Sequence, residues 1–301
     1  MHMNMLSEPV SERFRPLPDG GIRIFAPAKI NLNLLVGPVR RDNFHPIDSI
    51  VCRVSLYDQV DLMPSKSGET TLTCEGFECG DVRDNLAMRA FELMAKTFDV
   101  GDGADICLKK NIPPGKGLGG GSSDAAAVIW GLNRLWQLDV PRDRLMSLGA
   151  VLGSDVPLFL GPCCARMTGR GEALEEASVR RFYAVLFLDE SHCPTGPVYR
   201  AFDSSPQPMC EQLAQRLLSG PPAEWRGRLV NQLADAARSV CPEMASIWDR
   251  LSMMLEEPVR MTGSGSALFV LVDDEAQAVG VLNRIPEDIR GRCVIVSKNP
   301  W

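Results

Sequence analysis

The feature that most constrains this chain is a glycine-rich stretch, IPPGKGLGGGSSDAAAVIWGLNRLW, at residues 112–136. Five of the seven residues from 115 to 121 are glycine, and the chain then runs directly into alanines and a helical pattern. Such a loop costs backbone entropy on folding, but successive glycine N–H groups and the positive end of the next helix together can hold an anion. The stretch therefore predicts a phosphate-binding loop with Ser122 and Ser123 as helix caps. The alternative is a flexible turn before a serine-capped helix.

Three known kinds of phosphate loop do not fit this sequence. Residues 115–120, GKGLGG, satisfy the G-x-G-x-x-G spacing of dinucleotide-binding proteins, but Pro113 and Pro114 separate them from the preceding strand. Asp139, at the distance where that fingerprint needs an acid ending a strand, precedes a helix instead. A Walker A loop needs Ser or Thr after its lysine, whereas Lys116 is followed by glycine. The sequence also lacks the V-A-I-K, H-R-D and D-F-G segments of protein kinases.

Composition and charge narrow the possible partners. Of the 301 residues, 45% are hydrophobic and 23% are charged, which is typical of a globular protein. We expect no membrane association, because no apolar run approaches the roughly 18 residues that span a bilayer. With a net charge of −6 and no cluster of Lys and Arg among aromatics, the sequence also disfavours nucleic-acid binding. The first residues, MHMNMLSEPVSERFRP, contain no apolar signal core, which predicts a cytoplasmic location.

The cysteines and histidines do not form a metal or disulfide pattern. Ten cysteines are scattered without a C-x-x-C pair, and the three histidines lie far apart in the sequence. We therefore expect neither a zinc site nor a disulfide framework, which suits a reducing compartment.

Hydrophobic periodicity predicts an α+β protein of two domains, an N-terminal domain at residues 20–170 and a C-terminal domain at 171–301. Predicted strands cover 22–24 and 30–34, separated by a turn at Pro27, then 49–65, 69–76, 104–112, 181–189 and 292–297, and a strand–glycine turn–strand covers 259–273. Predicted helices cover 84–98 with Asp84 as cap, 122–138, 141–153, 207–219, 225–240, 243–256 and 274–284.

Two charged residues stand out as candidates for chemistry. Asp155, in Gly-Ser-Asp-Val-Pro just past a predicted helix, could direct a carboxylate into a cleft as a base or could simply cap the next helix. Lys29 lies in an otherwise apolar strand, P-A-K-I-N-L, where its side chain could reach solvent or lie beside that carboxylate and keep it ionised. Asn31 is two residues further on and therefore faces the same side of the strand.

Four segments resemble those of the GHMP small-molecule kinases, and the resemblance spans residues 22–298. They are the glycine loop IPPGKGLGGGSSDAA, PAKINLNLLVGPVRRDNFH at 27–45, LGSDVPLFL at 152–160 and MTGSGSALF at 261–269. The resemblance implies an N-terminal nucleotide-binding α+β domain and a C-terminal ferredoxin-like α+β domain. It also implies ATP and Mg²⁺ as cofactors, with the magnesium ligands left open, and a monomer or homodimer.

The same resemblance assigns roles to individual residues. It makes Lys29 and Asp155 the catalytic pair. Within the family, 27–45 is most similar to a member whose small-molecule substrate carries a cytidine diphosphate, and this implies substrate contacts for Asn31, Phe44, His45 and Tyr199. The residues implied to bind ATP are Pro113, Pro114, Gly115, Lys116, Gly117, Leu118, Gly119, Gly120, Gly121, Ser122 and Ser123.

One motif departs from the family pattern. Asn43-Phe44-His45 stands where the family usually has Gly-Tyr-His, and asparagine tolerates positive φ well enough to keep a left-handed turn. Phe44 keeps an aromatic face without the hydroxyl. Two other functions stay open from the sequence, a GHMP kinase for another small alcohol and a nucleotide-binding module that transfers no phosphate.

Overall fold

Two β-sheets organise the chain in the computed structural model, which describes residues 12–209, 225–299 and 301. The strands are β1 (Phe14–Pro16), β2 (Ile22–Asn31), β3 (Leu35–Val36), β4 (Ile47–Pro64), β5 (Thr71–Gly76), β6 (Ala104–Lys110), β7 (Cys164–Gly169), β8 (Ala173–Glu176), β9 (Tyr183–Phe187), β10 (Arg260–Met261), β11 (Leu268–Val272) and β12 (Cys293–Ser297). The helices are α1 (Leu86–Phe98), α2 (Gly120–Leu135), α3 (Arg142–Leu152), α4 (Val156–Leu160), α5 (Thr195–Asp203), α6 (Ala234–Val240), α7 (Pro242–Met254), α8 (Glu275–Arg284) and α9 (Glu287–Arg290).

The long strand β4 is the centre of the first sheet. The order is β1-β2-β4-β6-β5, with β3 and β7 also paired to β4 and β8 paired to β7. All of these pairings are antiparallel except the parallel pairing of β5 with β6. β4 is mostly buried because helices cover one side and the second sheet covers part of the other, and its buried residues include the charged Asp48, Arg53 and Asp58. The glycine loop follows β6, which pairs with β4 in this sheet.

The second sheet has the order β10-β11-β9-β12, antiparallel throughout. In chain order this is the β-α-β-β-α-β arrangement of a ferredoxin-like fold. Its helices pack on one face, where Val185, Val270 and Ile295 meet Leu251 and Val281. The predicted α+β fold class is confirmed.

A third hydrophobic cluster joins the two sheets. Ile30 and Cys52 of the first sheet pack with Leu186, Phe269 and Val294 of the second. The two sheets therefore share one continuous core.

Several predicted boundaries were wrong. No turn occurs at Pro27, since β2 runs through it with a β-bulge between Pro27 and Ala28 that accommodates the missing N–H. Helix α1 is capped by Asn85, whose side chain accepts from the N–H of Ala87, and not by Asp84. Ser122 and Ser123 are not caps either, because α2 begins one turn earlier with Gly119 at φ 73° as its N-cap.

The C-terminal half differs from the prediction in two places. The pattern at 225–240 is a 3₁₀ turn at Arg226–Arg228 followed, after a break, by α6. Of the helix predicted at 207–219, residues 207–209 are not helical and the remainder lies outside the described residues.

The structure also contains a disulfide bond, between Cys74 and Cys79. The sequence analysis disfavoured a disulfide framework, and it missed this local bridge because the turn after β5, not a spacing motif, brings the two Cα atoms to 6.4 Å. Among the described residues, no helix has the length and apolarity to cross a bilayer, and no group of three or more His, Cys, Asp or Glu side chains could hold a metal ion.

Candidate active site

A cleft of about 500 Å³ lies where the two halves of the chain meet. It collects predicted site residues that are far apart in sequence, with Lys29 on β2, Asp155 before α4 and Tyr199 on α5 among them. Its lining is formed by Lys29, Asn31, Leu34, Phe44, His45, Ile47, Gly117, Gly119, Ser154, Asp155, Arg170, Thr195, Gly196, Tyr199, Gly263 and Ser264.

Lys29 and Asp155 form an ion pair in this cleft, with 3.8 Å between Nζ and Oδ2. The lysine side chain is 7% exposed and does not reach solvent, whereas the carboxylate is 37% exposed and accessible from the cleft. Burial lowers the pKa of Lys29, and the negative charge of Asp155 opposes this effect. Asp155 occupies the N-cap position of α4 but makes no capping hydrogen bond, so its carboxylate is available for chemistry.

Asn31 holds Lys29 in position. The Lys29 ammonium donates to Asn31 Oδ1 at 2.6 Å, and Asn31 Nδ2 donates to Ser49 Oγ at 2.8 Å. The Asn31 backbone N–H donates to Thr262 Oγ1 at 3.0 Å, which ties β2 to the turn after β10. Both ends of the amide are thus engaged within the protein, and contact between Asn31 and a substrate stays a prediction.

The glycine loop adopts backbone conformations that require glycine. Gly115, Gly117 and Gly119 have φ between 70° and 73°, in the left-handed region. A Cβ at Gly117 would lie 2.4 Å from the carbonyl oxygen of Thr262. A Cβ at Gly119 would lie 2.9 Å from the ring of Phe159 and 3.1 Å from Lys29 Cγ. The loop is therefore packed tightly between Lys29, α4 and the turn after β10.

The other predicted loop residues divide into buried and accessible ones. Pro113, Leu118 and Ser123 are buried, while Pro114 and Gly121 are exposed. The buried Lys116 donates through its ammonium to the carbonyl of Ser191, and the carbonyl of Leu118 accepts from the N–H of Lys29 at 2.9 Å. The ammonium of Lys116 accordingly binds the C-terminal half of the chain and is not directed freely at the cleft.

The opposite side of the cleft is aromatic. The rings of His45 and Tyr199 pack with centroids 5.0 Å apart. His45 Nδ1 lies 2.9 Å from the carbonyl oxygen of Gly37, so Nδ1 carries the proton and donates. Burial and the nearby charge of Asp155 raise the pKa of Tyr199 to about 12, which keeps its hydroxyl protonated. Phe44 is 49% exposed at the mouth of the cleft, and Asn43 before it has φ 62°, as predicted for this left-handed turn.

The sequence analysis missed several residues of the cleft. Arg170, in the turn between β7 and β8, places its guanidinium carbon 4.5 Å from the centroid of the Phe44 ring. Thr195 Oγ1 and Ser264 Oγ lie 2.9 Å apart and connect α5 to the second glycine turn. The only sequence signal for Arg170 is its place between two glycines in TGRGE, which indicates a turn but not its direction.

Comparison with known proteins identifies the family of the chain. Family models described as the GHMP kinases N terminal domain and the GHMP kinases C terminal match residues 85–161 and 216–290. The 4-diphosphocytidyl-2-C-methyl-D-erythritol kinase of Bacillus pumilus (strain SAFR-032) is 34% identical over 271 residues, covering 89% of this chain and 92% of that protein. The enzyme of the same name from Shouchella clausii (strain KSM-K16) is 36% identical, covering 90% and 91%.

Solved structures show the same relationship. A crystal structure of 4-(cytidine 5'-diphospho)-2C-methyl-D-erythritol kinase superposes with a TM-score of 0.74 at 32% identity, covering 92% of this chain and 99% of that one. Homoserine kinase from Cytophaga hutchinsonii superposes with a TM-score of 0.69 at 16% identity, covering 96% and 97%, a likeness of fold alone. On these matches over about nine-tenths of the chain, the protein belongs to the GHMP kinases, which use ATP as the phosphate donor.

Proposed function

We propose that this kinase transfers a phosphoryl group from ATP to the 2-hydroxyl of 4-diphosphocytidyl-2-C-methyl-D-erythritol, a step of isoprenoid precursor biosynthesis in the non-mevalonate pathway. The observation that carries the proposal is the Lys29–Asp155 pair, which lies in one cleft between the glycine loop and the aromatic side. The two relatives and the solved structure that bear this enzyme's name match nearly the whole chain, which supports the choice of substrate.

In this proposal the base is Asp155. Its accessible carboxylate accepts the proton of the substrate hydroxyl as the oxygen attacks the γ-phosphorus, and the bond from that phosphorus to the bridging oxygen breaks to release ADP. The ammonium of Lys29 offsets the negative charge that develops on the acceptor oxygen. Asn31 holds the Lys29 ammonium so that this charge is already in place before the reaction.

The proposed phosphate cradle is the loop 113–123 at the N-terminus of α2. Its left-handed glycines let successive N–H groups converge, and the positive end of the 16-residue helix adds to the attraction for phosphate oxygens. Gly117 and Gly119 line the cleft, so phosphates held there would lie beside Lys29 and Asp155.

The residues near the loop fit a magnesium ion held mainly by ATP and water. Mg²⁺ takes one or two protein oxygens and keeps most of its waters in such sites. The half-buried hydroxyl of Ser122, in the first turn of α2, is the oxygen donor that we propose for it. When bound, the ion would neutralise charge on the transferred phosphate.

The aromatic side of the cleft supports the cytidine assignment. A flat base that leaves water can be held between the faces of Phe44 and Tyr199. His45 packs beside Tyr199 with its Nε2 3.5 Å from Asp203 Oδ1, so contact between His45 and the base would replace that interaction. The Arg170 guanidinium beside Phe44 is a cation suited to the diphosphate of the substrate.

The domain limits 20–170 and 171–301, a monomeric or homodimeric state and a cytoplasmic location are further proposals. The two sheets support a division of the chain into two halves, although β8, at Ala173–Glu176, pairs with the first sheet.

Release of ADP in the presence of different alcohols tests the proposed function. We expect ADP when ATP, Mg²⁺ and the cytidine-bearing alcohol are combined, and no ADP above background with homoserine or mevalonate. Preference for another alcohol would leave the chain a GHMP kinase with a different substrate. If every alcohol failed while ATP bound, the nucleotide-binding module would be the better description.

A further inference from the structure

One lysine joins the two ends of the glycine loop. Lys110 is the last residue of β6, immediately before the loop, and Asp124 lies in α2 just after it. The Lys110 ammonium donates to the carboxylates of Asp124 and of Asp58, which belongs to β4. The side chains of Lys110, Asp58 and Asp124 are 7%, 0% and 4% exposed. We refer to these three residues as the buried triad.

Asp58 fixes the start of the loop independently of the lysine. Its Oδ1 accepts from the backbone N–H of Asn111 at 2.6 Å and from that of Ile112 at 2.8 Å. The side chain of Asn111 donates in turn to the carbonyl oxygen of Tyr57 at 2.9 Å. The first residues of the loop are thereby bound to the central strand of the first sheet.

The buried triad and its neighbour Ser123 contain polar atoms that the described part of the protein leaves unpaired. Two carboxylates share one ammonium, and Oδ1 of Asp124 and Oγ of the neighbouring Ser123 are buried without a hydrogen-bond partner among the described residues. Burial and the charge of Asp58 raise the pKa of Asp124, whereas the two carboxylates raise that of Lys110 despite its burial. Apolar residues of similar size are often as stable as buried ion clusters, so stability alone does not explain this one.

The loop between these anchors needs external support. Three residues at positive φ are glycines, which restrict the unfolded chain least and resist deformation least. Two hydrogen bonds hold its centre. The N–H of Lys29 donates to the carbonyl of Leu118, and the ammonium of Lys116 donates to the carbonyl of Ser191. The buried triad supplies the matching attachment at both ends.

We propose that Lys110, with Asp58 and Asp124, is a positioning clamp that sets the spacing between β6 and α2 and thereby shapes the loop for ATP phosphates. The inference rests on the proposed function only in that it takes the loop as the ATP site. The three residues act through the loop and need not touch ATP, so they are positioning residues and not catalytic ones.

The test uses ATP binding, measured by calorimetry with Mg²⁺ and without any alcohol. Lys110→Met removes the clamp but leaves two buried carboxylates, so the triple variant Lys110→Met, Asp58→Asn, Asp124→Asn is measured with it because it leaves no unpaired charge. We expect each folded variant to bind ATP at least about tenfold more weakly. Backbone amides of the loop and of the residues on either side of it, 111–124, should also exchange hydrogen faster than in the unaltered protein.

Arg23→Met is the matched control. Arg23 forms a bidentate pair with Asp61, which is also on β4 but does not contact the loop. This variant should keep its ATP affinity even where its melting temperature falls.

Steady-state kinetics separate positioning from general loosening. KM for ATP should rise in the triad variants while KM for the alcohol stays within about twofold. Unchanged ATP affinity in the folded triple variant would overturn the inference, as would equal losses for both substrates. Because ATP binding is measured without the alcohol, failure of the substrate assignment would leave this test intact.

Discussion

The two sides of the cleft are built differently. We call the side of the cleft formed by the glycine loop the phosphate side, because we propose that ATP phosphates bind there. On this side Lys29 is buried and hydrogen-bonded to Asn31, and the glycines of the loop pack directly against Phe159 and Thr262. On the aromatic side, Phe44 is half exposed in a turn, with the Arg170 guanidinium carbon 4.5 Å from the centroid of its ring. Under the proposed function, the difference implies that the groups for chemistry are in place before binding, whereas the substrate completes its own pocket.

Replacing the base should give the largest effect and confirm that the phosphate side carries the chemistry. Asp155→Asn keeps the size of the side chain but removes the proton acceptor, so we expect kcat to fall by roughly 10² to 10⁴. ATP affinity should change little, because the loop is untouched. A variant that kept nearly full turnover would remove Asp155 from the role of base. Ser154→Ala, at the neighbouring cleft residue, is the control for local disturbance.

Adding a side chain within the glycine loop should weaken ATP binding selectively. Gly119→Val places a β-branched side chain at positive φ, against Phe159 and the stem of Lys29. We expect KM for ATP to rise by about tenfold or more, together with a lower melting temperature. Gly121→Ala is the matched control, because its Cβ would meet nothing closer than Leu86 at 3.8 Å. Normal ATP kinetics in a folded Gly119→Val variant would place the phosphate cradle elsewhere.

Removing an aromatic face should affect the other side alone. Base stacking on an aromatic side chain is worth about 1–3 kcal/mol, so Phe44→Ala and Tyr199→Ala should each raise KM for the cytidine substrate by roughly tenfold. KM for ATP should stay almost unchanged. The reverse pattern, with ATP affinity lost and the alcohol unaffected, would assign these aromatics to the nucleotide pocket.

Arg170→Gln should give a smaller effect on the same side, raising KM for the diphosphate substrate by a few fold and reducing its dependence on salt. Arg181→Gln, on another exposed arginine, is the control for net charge. An unchanged salt dependence would show that Arg170 does not bind the diphosphate.

The buried triad predicts a pH dependence of stability. Burial and the Asp58 carboxylate on β4 raise the pKa of Asp124 to about 7, against the opposing pull of Lys110 on β6. Because the folded state then binds a proton more tightly than the unfolded state, stability should fall as pH rises from about 4 to about 7 and level off above. Asp124→Asn should remove this slope, which is measured as the melting temperature of both proteins at a series of pH values. Identical slopes in both proteins would contradict the raised pKa.

The structure was most predictable from the sequence where the residue type by itself determines the local backbone conformation. Five glycines in seven residues before a helix allow few structures, and the left-handed turn at Asn43 follows from the tolerance of asparagine for positive φ. The sequence could not predict that Lys29 is buried or that the strand continues through Pro27, because each feature depends on partners in distant segments.

The helix start shows the same limit on a smaller scale. Ser122 and Ser123 are good capping residues, yet Gly119 caps α2 because the loop needs left-handed geometry at that position. The directions of Arg170 and Lys110 likewise depend on the final packing of turns and strands, which no periodicity encodes.

Titration of Mg²⁺-ATP into the Gly119→Val and Phe44→Ala variants tests the separation of the two sides most directly. Calorimetry on the two folded proteins, without the alcohol, gives one dissociation constant for each. The account predicts that Gly119→Val loses ATP affinity by about tenfold or more while Phe44→Ala binds ATP like the unaltered protein. Equal affinities in all three proteins, or a loss confined to Phe44→Ala, would contradict it.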